Sequence, residues 1–182
     1  MTSNQTGRLI GAIFGLVFVA ANAGTLPTVA AVPLRVLAVV SFVALFIALR
    51  RTRTTPADDE STGTVTGTGA AAPKRFGRGY RLVVAAEVVA ALAGFLVITR
   101  VLHAPQASVA WLSLVVGLHF FGLAAVWRMP SLRWLAAAMT ACGAAGLALA
   151  AGGASLAVIA TVAGIAPGAL LLGAVWWSLR TP

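Results

Sequence analysis

Two apolar stretches decide the fold: YRLVVAAEVVAALAGFLVITRVL (80–102) and VAWLSLVVGLHFFGLAAVW (109–127). A short break that begins with His103-Ala104-Pro105 separates them. As helices, both are long enough to cross the ~30 Å hydrocarbon core of a bilayer. Glu87 lies inside the first run and His119 lies near the middle of the second. The sequence therefore predicts two neighbouring membrane spans, each with an ionisable group well inside it.

The composition excludes a soluble globular protein. Of the 182 residues 60% are hydrophobic and only 9% are charged, whereas soluble domains are about 25% charged. A net charge of +9 would suggest nucleic acid as the partner of a soluble protein. Here the basic residues cluster at the ends of apolar runs, where they act as topology signals, so no nucleic-acid partner is predicted.

Four further apolar runs bring the number of predicted spans to six. They lie at 9–26, 33–49, 132–151 and 155–179, with breaks marked by proline and glycine, such as Met129-Pro130-Ser131. We expect Pro33 in the first turn of the second span, where its missing N–H costs nothing. The predicted fold is an all-α bundle of six transmembrane helices, with an N-terminal hairpin in 1–49 and four helices in 80–182.

The segment 50–79 between the second and third spans is predicted to be a disordered linker. It has no apolar periodicity, so it cannot bury enough surface to offset its chain entropy. Extended to Arg81, it carries seven basic and three acidic residues, a net charge of +4. Anionic lipid headgroups are its expected partners, because each basic residue near a negative membrane surface contributes ~1 kcal/mol of attraction.

The basic residues also predict the orientation. If the N-terminus is cytoplasmic, eleven of the thirteen lysines and arginines lie on the cytoplasmic side, and only Arg35 and Arg100 lie outside. Cytoplasmic loops carry an excess of basic residues. We therefore expect a multi-pass protein of the cell membrane with both termini in the cytoplasm.

The first run admits two interpretations. Arg8, an apolar stretch and Ala21-Asn22-Ala23 resemble a signal peptide with a cleavage site near residue 23. Gly7, Gly11 and Gly15 instead form a stripe at four-residue spacing, which is typical of close helix packing. We favour an uncleaved helix, and the remaining topology is the same in either case.

Glu87 and His119 are predicted to lie at similar depth. On antiparallel helices, Glu87 is ~9 Å beyond Arg81 and His119 is ~13 Å from Arg128, at 1.5 Å per residue. Small residues share the helix face of Glu87, which favours an orientation into the bundle. A bare charge at the bilayer centre costs ~2.5–3.5 kcal/mol on insertion scales. We therefore expect Glu87 to be protonated or to pair with His119.

A Glu87–His119 pair supports two hypotheses. It would handle protons or form the polar floor of a small-substrate site, or it would be an interhelical bond that fixes packing. Small polar residues at Asn22, Ser41, Ser113 and Thr140 would extend a polar route. Pro167 is expected to free the carbonyl of Ala163 and kink the last helix.

No cofactor or metal site is predicted. Two histidines and one intramembrane glutamate barely reach the ligand number of a metal centre. His103 is interpreted as a solvated loop residue and the single Cys142 as a small packing residue. No catalytic motif is present, so an enzyme is the function class that the sequence favours least.

At GYRLVVAAE (79–87) and VVGLHFF (115–121) the chain resembles a family of small bacterial integral membrane proteins without an assigned activity. Its relatives often have proline after HFF, where this chain has Gly122. The resemblance implies an architecture and no mechanism. Our hypothesis is a non-catalytic membrane scaffold or accessory subunit with a homo-oligomeric or other membrane partner. The alternative is a small transporter- or channel-like protein that uses Glu87 and His119.

Overall fold

The structure, a computed structural model, describes residues 3–51 and 78–180. Six helices in it are long and apolar enough to cross a membrane, and this part of the chain contains no strand. The all-α, six-helix prediction is confirmed, and the fold fits a multi-pass membrane protein. Most of the predicted linker 50–79 lies outside the described residues, so its disorder and its lipid contacts stay predictions.

The helices follow the predicted runs closely. Five spans are formed by α1 to α5: Ser3–Asn22, Thr28–Arg51, Arg78–Leu96, Ser108–Trp127 and Ser131–Ala151. The sixth span, Leu156–Arg180, is divided into α6 (Leu156–Ala160), a π-helical turn (Thr161–Ile165) and α7 (Ala166–Arg180). A second π-helical turn, Val97–Val101, continues α3 at the end remote from Arg81.

Pro33 does not begin the second span. The helix α2 starts five residues earlier, at Thr28, and Pro33 lies inside it. Pro27 precedes the helix instead, and its carbonyl accepts the N–H groups of Ala30 and Ala31 at 2.8 and 2.9 Å. The prediction of Pro33 in the first turn was wrong because Pro27 and the residues after it already form a helical turn.

The sixth span adapts to Pro167 by widening the turn ahead of it. In the π-helical turn the N–H of Ala166 donates to the carbonyl of Thr161, a five-residue separation. Proline lacks an N–H, and its ring crowds the preceding turn of an α-helix. A wider turn relieves this crowding, as π bulges commonly do within otherwise regular helices. Pro167 is buried, so the irregular segment faces the protein interior.

The sixth span is the centre of the bundle. It contacts α1, α2, α4 and α5, whereas α3 packs mainly against α4, and α2 packs mainly against α1. The spans follow one another across the bundle in the order α3, α4, α5, sixth span, α1, α2. The helices α3 and α2 are therefore at opposite edges, and much of their apolar surface is exposed.

Small residues allow the central helices to approach closely. A Cβ on Gly117 would meet the backbone of Thr140, and a Cβ on Gly143 would meet the backbone of Leu114. Gly15 of α1 and Gly168 of α7 face each other's carbonyl oxygens in the same way. Apolar burial drives helix association weakly in lipid, so such close van der Waals contact is the main source of stability.

Two of the three glycines in the predicted stripe Gly7, Gly11 and Gly15 pack against another helix of the same chain. Gly15 and Gly11 lie against α7, whereas nothing lies within 4 Å of a Cβ at Gly7. At the same end of the bundle, a guanidinium N–H of Arg8 donates to the carbonyl of Ser178 at 2.6 Å. This contact places the beginning of α1 beside the end of α7.

We predict that Gly15→Leu destabilises the protein and that Gly7→Leu does not. At Gly15 a new Cβ would lie 2.9 Å from the carbonyl oxygen of Gly168, so the two backbones must separate. Overpacking of this kind typically costs ~1–3 kcal/mol. Thermal unfolding of both variants in the same detergent measures the difference. Equal melting temperatures for the two variants would show that α1 and α7 do not pack through this glycine.

Candidate functional site

The candidate site lies in the seam between α3 and α4, which run antiparallel. Three contacts define the seam: Val83 fits against Gly122, the Trp111 indole fits against Gly94, and Glu87 meets His119. The residue numbers in each contact sum to 205 or 206. A constant sum is the signature of one antiparallel register, so a single alignment of the two helices sets all three contacts.

The structure brings Glu87 and His119 together. The Nδ1 atom of His119 lies 2.9 Å from Oε2 of Glu87. The side chain of His119 is 12% exposed and that of Glu87 is 23% exposed. The pair is thus inside the seam but close to its edge, with the carboxyl group nearer to the outside of the bundle.

The 2.9 Å contact lacks the alignment of a linear hydrogen bond. Although Nδ1 is at hydrogen-bond distance from the carboxyl oxygen, it makes no hydrogen bond with acceptable angles, and this nitrogen is fully buried. The imidazole also makes a T-shaped contact with the neighbouring Phe120 ring, with centroids 5.9 Å apart and planes at 72°.

The pair needs only one proton to be electrically neutral. If the proton is on the carboxyl group, both groups are neutral, and if it is on the imidazole, they form an ion pair. In either form no net charge is placed in the membrane, which avoids most of the cost of an isolated charge. The contact is therefore chemically suited to hold, or to pass on, one proton.

Aromatic residues close the seam on both sides of the pair. The indole N–H of Trp111 donates to the carbonyl of Ala90 at 3.1 Å, and its ring occupies the space left by Gly94. At the other end the rings of Tyr80 and Trp127 are stacked, with centroids 6.1 Å apart and planes at 10°. These contacts fix the register of the two helices, and the register keeps Glu87 opposite His119.

The other predicted polar residues do not extend the pair into a route. Asn22 donates to the Phe18 carbonyl of its own helix and lies against Gly164. Ser41 lines a groove between α2 and the sixth span. Thr140 lies against Gly117, on the α5 side of α4. Each of the three faces a different part of the bundle from the α3–α4 seam.

Ser113 is also separated from the pair. It is fully buried, but six residues of helix separate its direction from that of His119 by about 120° around the α4 axis. The hydroxyls of Ser113 and Thr140 are buried without a hydrogen-bond partner. His103, the other histidine, is exposed in the turn after α3 with a left-handed backbone (φ 49°).

Sequence reasoning missed the contribution of Trp111. The residue numbers could have indicated this contribution. If Glu87 lies opposite His119, the same register places Gly94 opposite Trp111 and Tyr80 near Trp127. A glycine opposite a tryptophan indicates a notch filled by the large ring. Small residues were predicted on the helix face of Glu87, but the α4 side chain that fills the space beside them was not.

The chemistry available to the described residues is limited. They contain no group of three or more histidine, cysteine or acidic side chains that could hold a metal ion. Cys142, a free thiol, is partly buried on α5 and so belongs to a different helix from either member of the pair. The site therefore offers one carboxyl group and one imidazole.

Comparison of the chain with models of known protein families, with curated proteins and with solved structures finds no match. The resemblance at 79–87 and 115–121 therefore stays a hypothesis.

We predict a measurable energetic coupling between Glu87 and His119. A double-mutant cycle of Glu87→Ala and His119→Ala should give a coupling energy of ~0.6–1.7 kcal/mol, the range found for polar pairs between membrane helices. Steric trapping in bicelles measures the free energy of unfolding for each variant. As a control, Thr99→Ala should be additive with His119→Ala, because Thr99 donates to Phe95 of its own helix. Additivity for Glu87 and His119 as well would contradict an interacting pair.

Proposed function

We propose that the chain is a non-catalytic membrane scaffold or accessory subunit, in which the α3–α4 seam presents α3 to a membrane partner. The observation that supports this most strongly is the position of the pair at the edge of the bundle. Transporter sites typically lie near the midplane, between the repeats that move against each other. Here the corresponding central place is taken by the sixth span.

The sixth span is apolar where it meets the other central helices. Ile159, Ala163 and Leu171 are almost wholly buried there, in clusters formed with α4 and α5. A polar pathway through the centre would require polar side chains on these faces. The apolar packing instead supports a bundle that is rigid at its centre and carries its ionisable pair at one side.

The outward face of α3 is the surface proposed for the partner. Its large apolar residues Leu82, Val89 and Leu92 are 60–66% exposed, and the small residues Ala85 and Ala93 are also exposed. Small residues among large ones let another helix approach closely. The Glu87–His119 contact and the Trp111 indole would hold α3 in a fixed orientation, so that this face is ready for docking.

The proposed orientation has both termini in the cytoplasm of a cell-membrane protein. The distribution of eleven basic residues on one side and two on the other supports it. The contact of Arg8 with Ser178 agrees with termini on one common side. Accessibility labelling of single cysteines at the two ends of α1 would test which side this is.

We expect site-specific cross-linking to identify the docking face. A photo-reactive residue at Val89 should give a discrete protein adduct in native membranes, because this position faces outward from α3. The same residue at Val43 of α2 is the control, since it is also exposed (46%) and also lies eight residues from a basic residue, Arg51. If both positions give lipid adducts alone, α3 is not a docking helix.

The second candidate function is transport of protons or of a small solute. The observation that favours it is the close contact of a carboxyl group with an imidazole within the spans, since intramembrane ionisable residues commonly mark ion or proton pathways. The unpartnered hydroxyls of Ser113 and Thr140 would supply further polar groups. They lie on the other side of α4, so such a pathway would have to pass around this helix.

A flux assay distinguishes the two functions. We expect vesicles that contain the full chain to retain a pH gradient as long as empty vesicles do, because none of the polar side chains in residues 3–51 and 78–180 continues a route from the pair. A faster loss of the gradient that Glu87→Gln and His119→Ala abolish, and that Thr99→Ala leaves intact, would overturn the scaffold proposal in favour of transport.

A further inference from the structure

The end of the first span has a sequence that fits either a cleaved signal peptide or a retained helix. Ala21-Asn22-Ala23 matches the small-x-small pattern of a cleavage site, and a cut after Ala23 would remove α1 altogether. The apolar helical stretch Gly7–Thr25 has 19 residues, ~28 Å at 1.5 Å per residue, which is close to the ~30 Å thickness of the hydrocarbon core. The surroundings of residues 21–23 distinguish the two interpretations.

Residues 21–23 lie in helical structure and not in an open loop. The helix α1 continues to Asn22, and Ala23–Thr25 form a 3₁₀ turn that packs against α2 and α6. Ala23 is fully buried, and its carbonyl, part of the bond that would be cut, accepts the N–H of Leu26 at 3.1 Å. Proteolytic cleavage concentrates at exposed loop tips and termini. This segment has neither character.

Asn22 docks the end of α1 on the π-helical turn of the sixth span. A Cβ added to Gly164 would meet the side-chain amide of Asn22, so this amide lies directly against the glycine backbone. Its Nδ2 also donates to the carbonyl of Phe18 at 2.8 Å, which holds the side chain in place. Gly164 belongs to the turn that accommodates Pro167, and a residue with a side chain would not allow this approach.

A second contact holds the same end of α1 against α2. The Nε of Arg35 donates at 3.2 Å to the carbonyl of Ala20, one of the last four carbonyls of α1, which a helix itself leaves unpaired. A Cβ on Gly24 would lie 2.9 Å from a terminal nitrogen of the same guanidinium group. A basic side chain at a helix C-terminus also interacts favourably with the helix dipole. Both neighbouring spans therefore contact the residues around the cleavage pattern.

The rest of α1 fills a place in the core between α2 and the sixth span. Ala12 and Val19 belong to one buried cluster with Ala38 of α2 and with Leu172 and Val175 of α7. Because α2 packs mainly against α1, loss of residues 1–23 would leave α2 without its main neighbour. It would also uncover the face of α7 on which α1 packs.

From these contacts we infer that Ala21-Asn22-Ala23 is a packing motif and not a cleavage site, and that the mature protein retains α1 as its first span. Burial accounts for the small side chain of Ala23, and the contact with Gly164 accounts for the amide of Asn22. Ala21 is exposed, so packing sets no limit on its size. The inference involves neither the Glu87–His119 pair nor a partner protein, so its test is independent of the scaffold proposal.

Intact mass spectrometry tests the retention of α1. The full chain with a C-terminal tag is purified from the membranes of cells with active signal peptidase. Its mass should be that of the whole chain, with or without the initiator methionine, and a mass lower by residues 1–23 would overturn the inference. Ala21→Leu is the matched control, because a large residue there would block cleavage of a signal peptide. The two proteins should have the same chain length, and a longer Ala21→Leu chain would show that the parent is cleaved.

Thermal unfolding in one detergent tests the packing motif. Ala23→Leu should lower the melting temperature by about 5 °C, because the buried turn has no room for a larger side chain, whereas Ala21→Leu should leave it unchanged. Gly164→Ala should also lower it, and by less when Asn22 is replaced by alanine, because the amide that the new Cβ would meet is then gone. Equal melting temperatures for Ala21→Leu and Ala23→Leu, or equal effects of Gly164→Ala with and without Asn22, would contradict the motif.

Discussion

Helices surrounded by lipid gain little from burying apolar side chains against one another, because the hydrocarbon outside is equally apolar. Their association depends on contacts that lipid cannot provide, namely close backbone approach and polar bonds. Both kinds are present in this protein. Glycine and alanine bring α4 against α5 and α1 against α7, and an acid–imidazole contact with an indole hydrogen bond joins α3 to α4.

These two kinds of contact have different places in the bundle. The centre is built from small-residue packing around the sixth span, whose π-helical turn accommodates Pro167 within a buried surface. The ionisable pair lies at an edge. At one edge the Glu87–His119 pair and the Trp111 indole orient α3, whereas at the other edge the crossing of α2 over the sixth span leaves an apolar groove.

The sequence predicted the candidate pair through depth and helix faces, but it did not predict which residues surround the pair. The number of spans followed from run lengths, and Glu87 and His119 were placed at similar depth by counting from Arg81 and Arg128. The role of Trp111 and the dispersal of Asn22, Ser41, Ser113 and Thr140 to other faces could not be read from composition. They depend on which helices are neighbours, and apolar runs of similar hydrophobicity carry little information about their neighbours.

The amino-acid sequence by itself determined the class of solvent, the helical secondary structure and the ends of most spans, because each depends on local composition and on turn residues such as Pro130. It did not determine where α2 begins, because Pro27 and Pro33 are both compatible with a helix start. Only the tertiary structure decided that the sixth span is central, that Gly15 packs inside the chain and that the pair lies at an edge. Those features arise from contacts between residues distant in sequence, where one missing Cβ decides whether two backbones can meet.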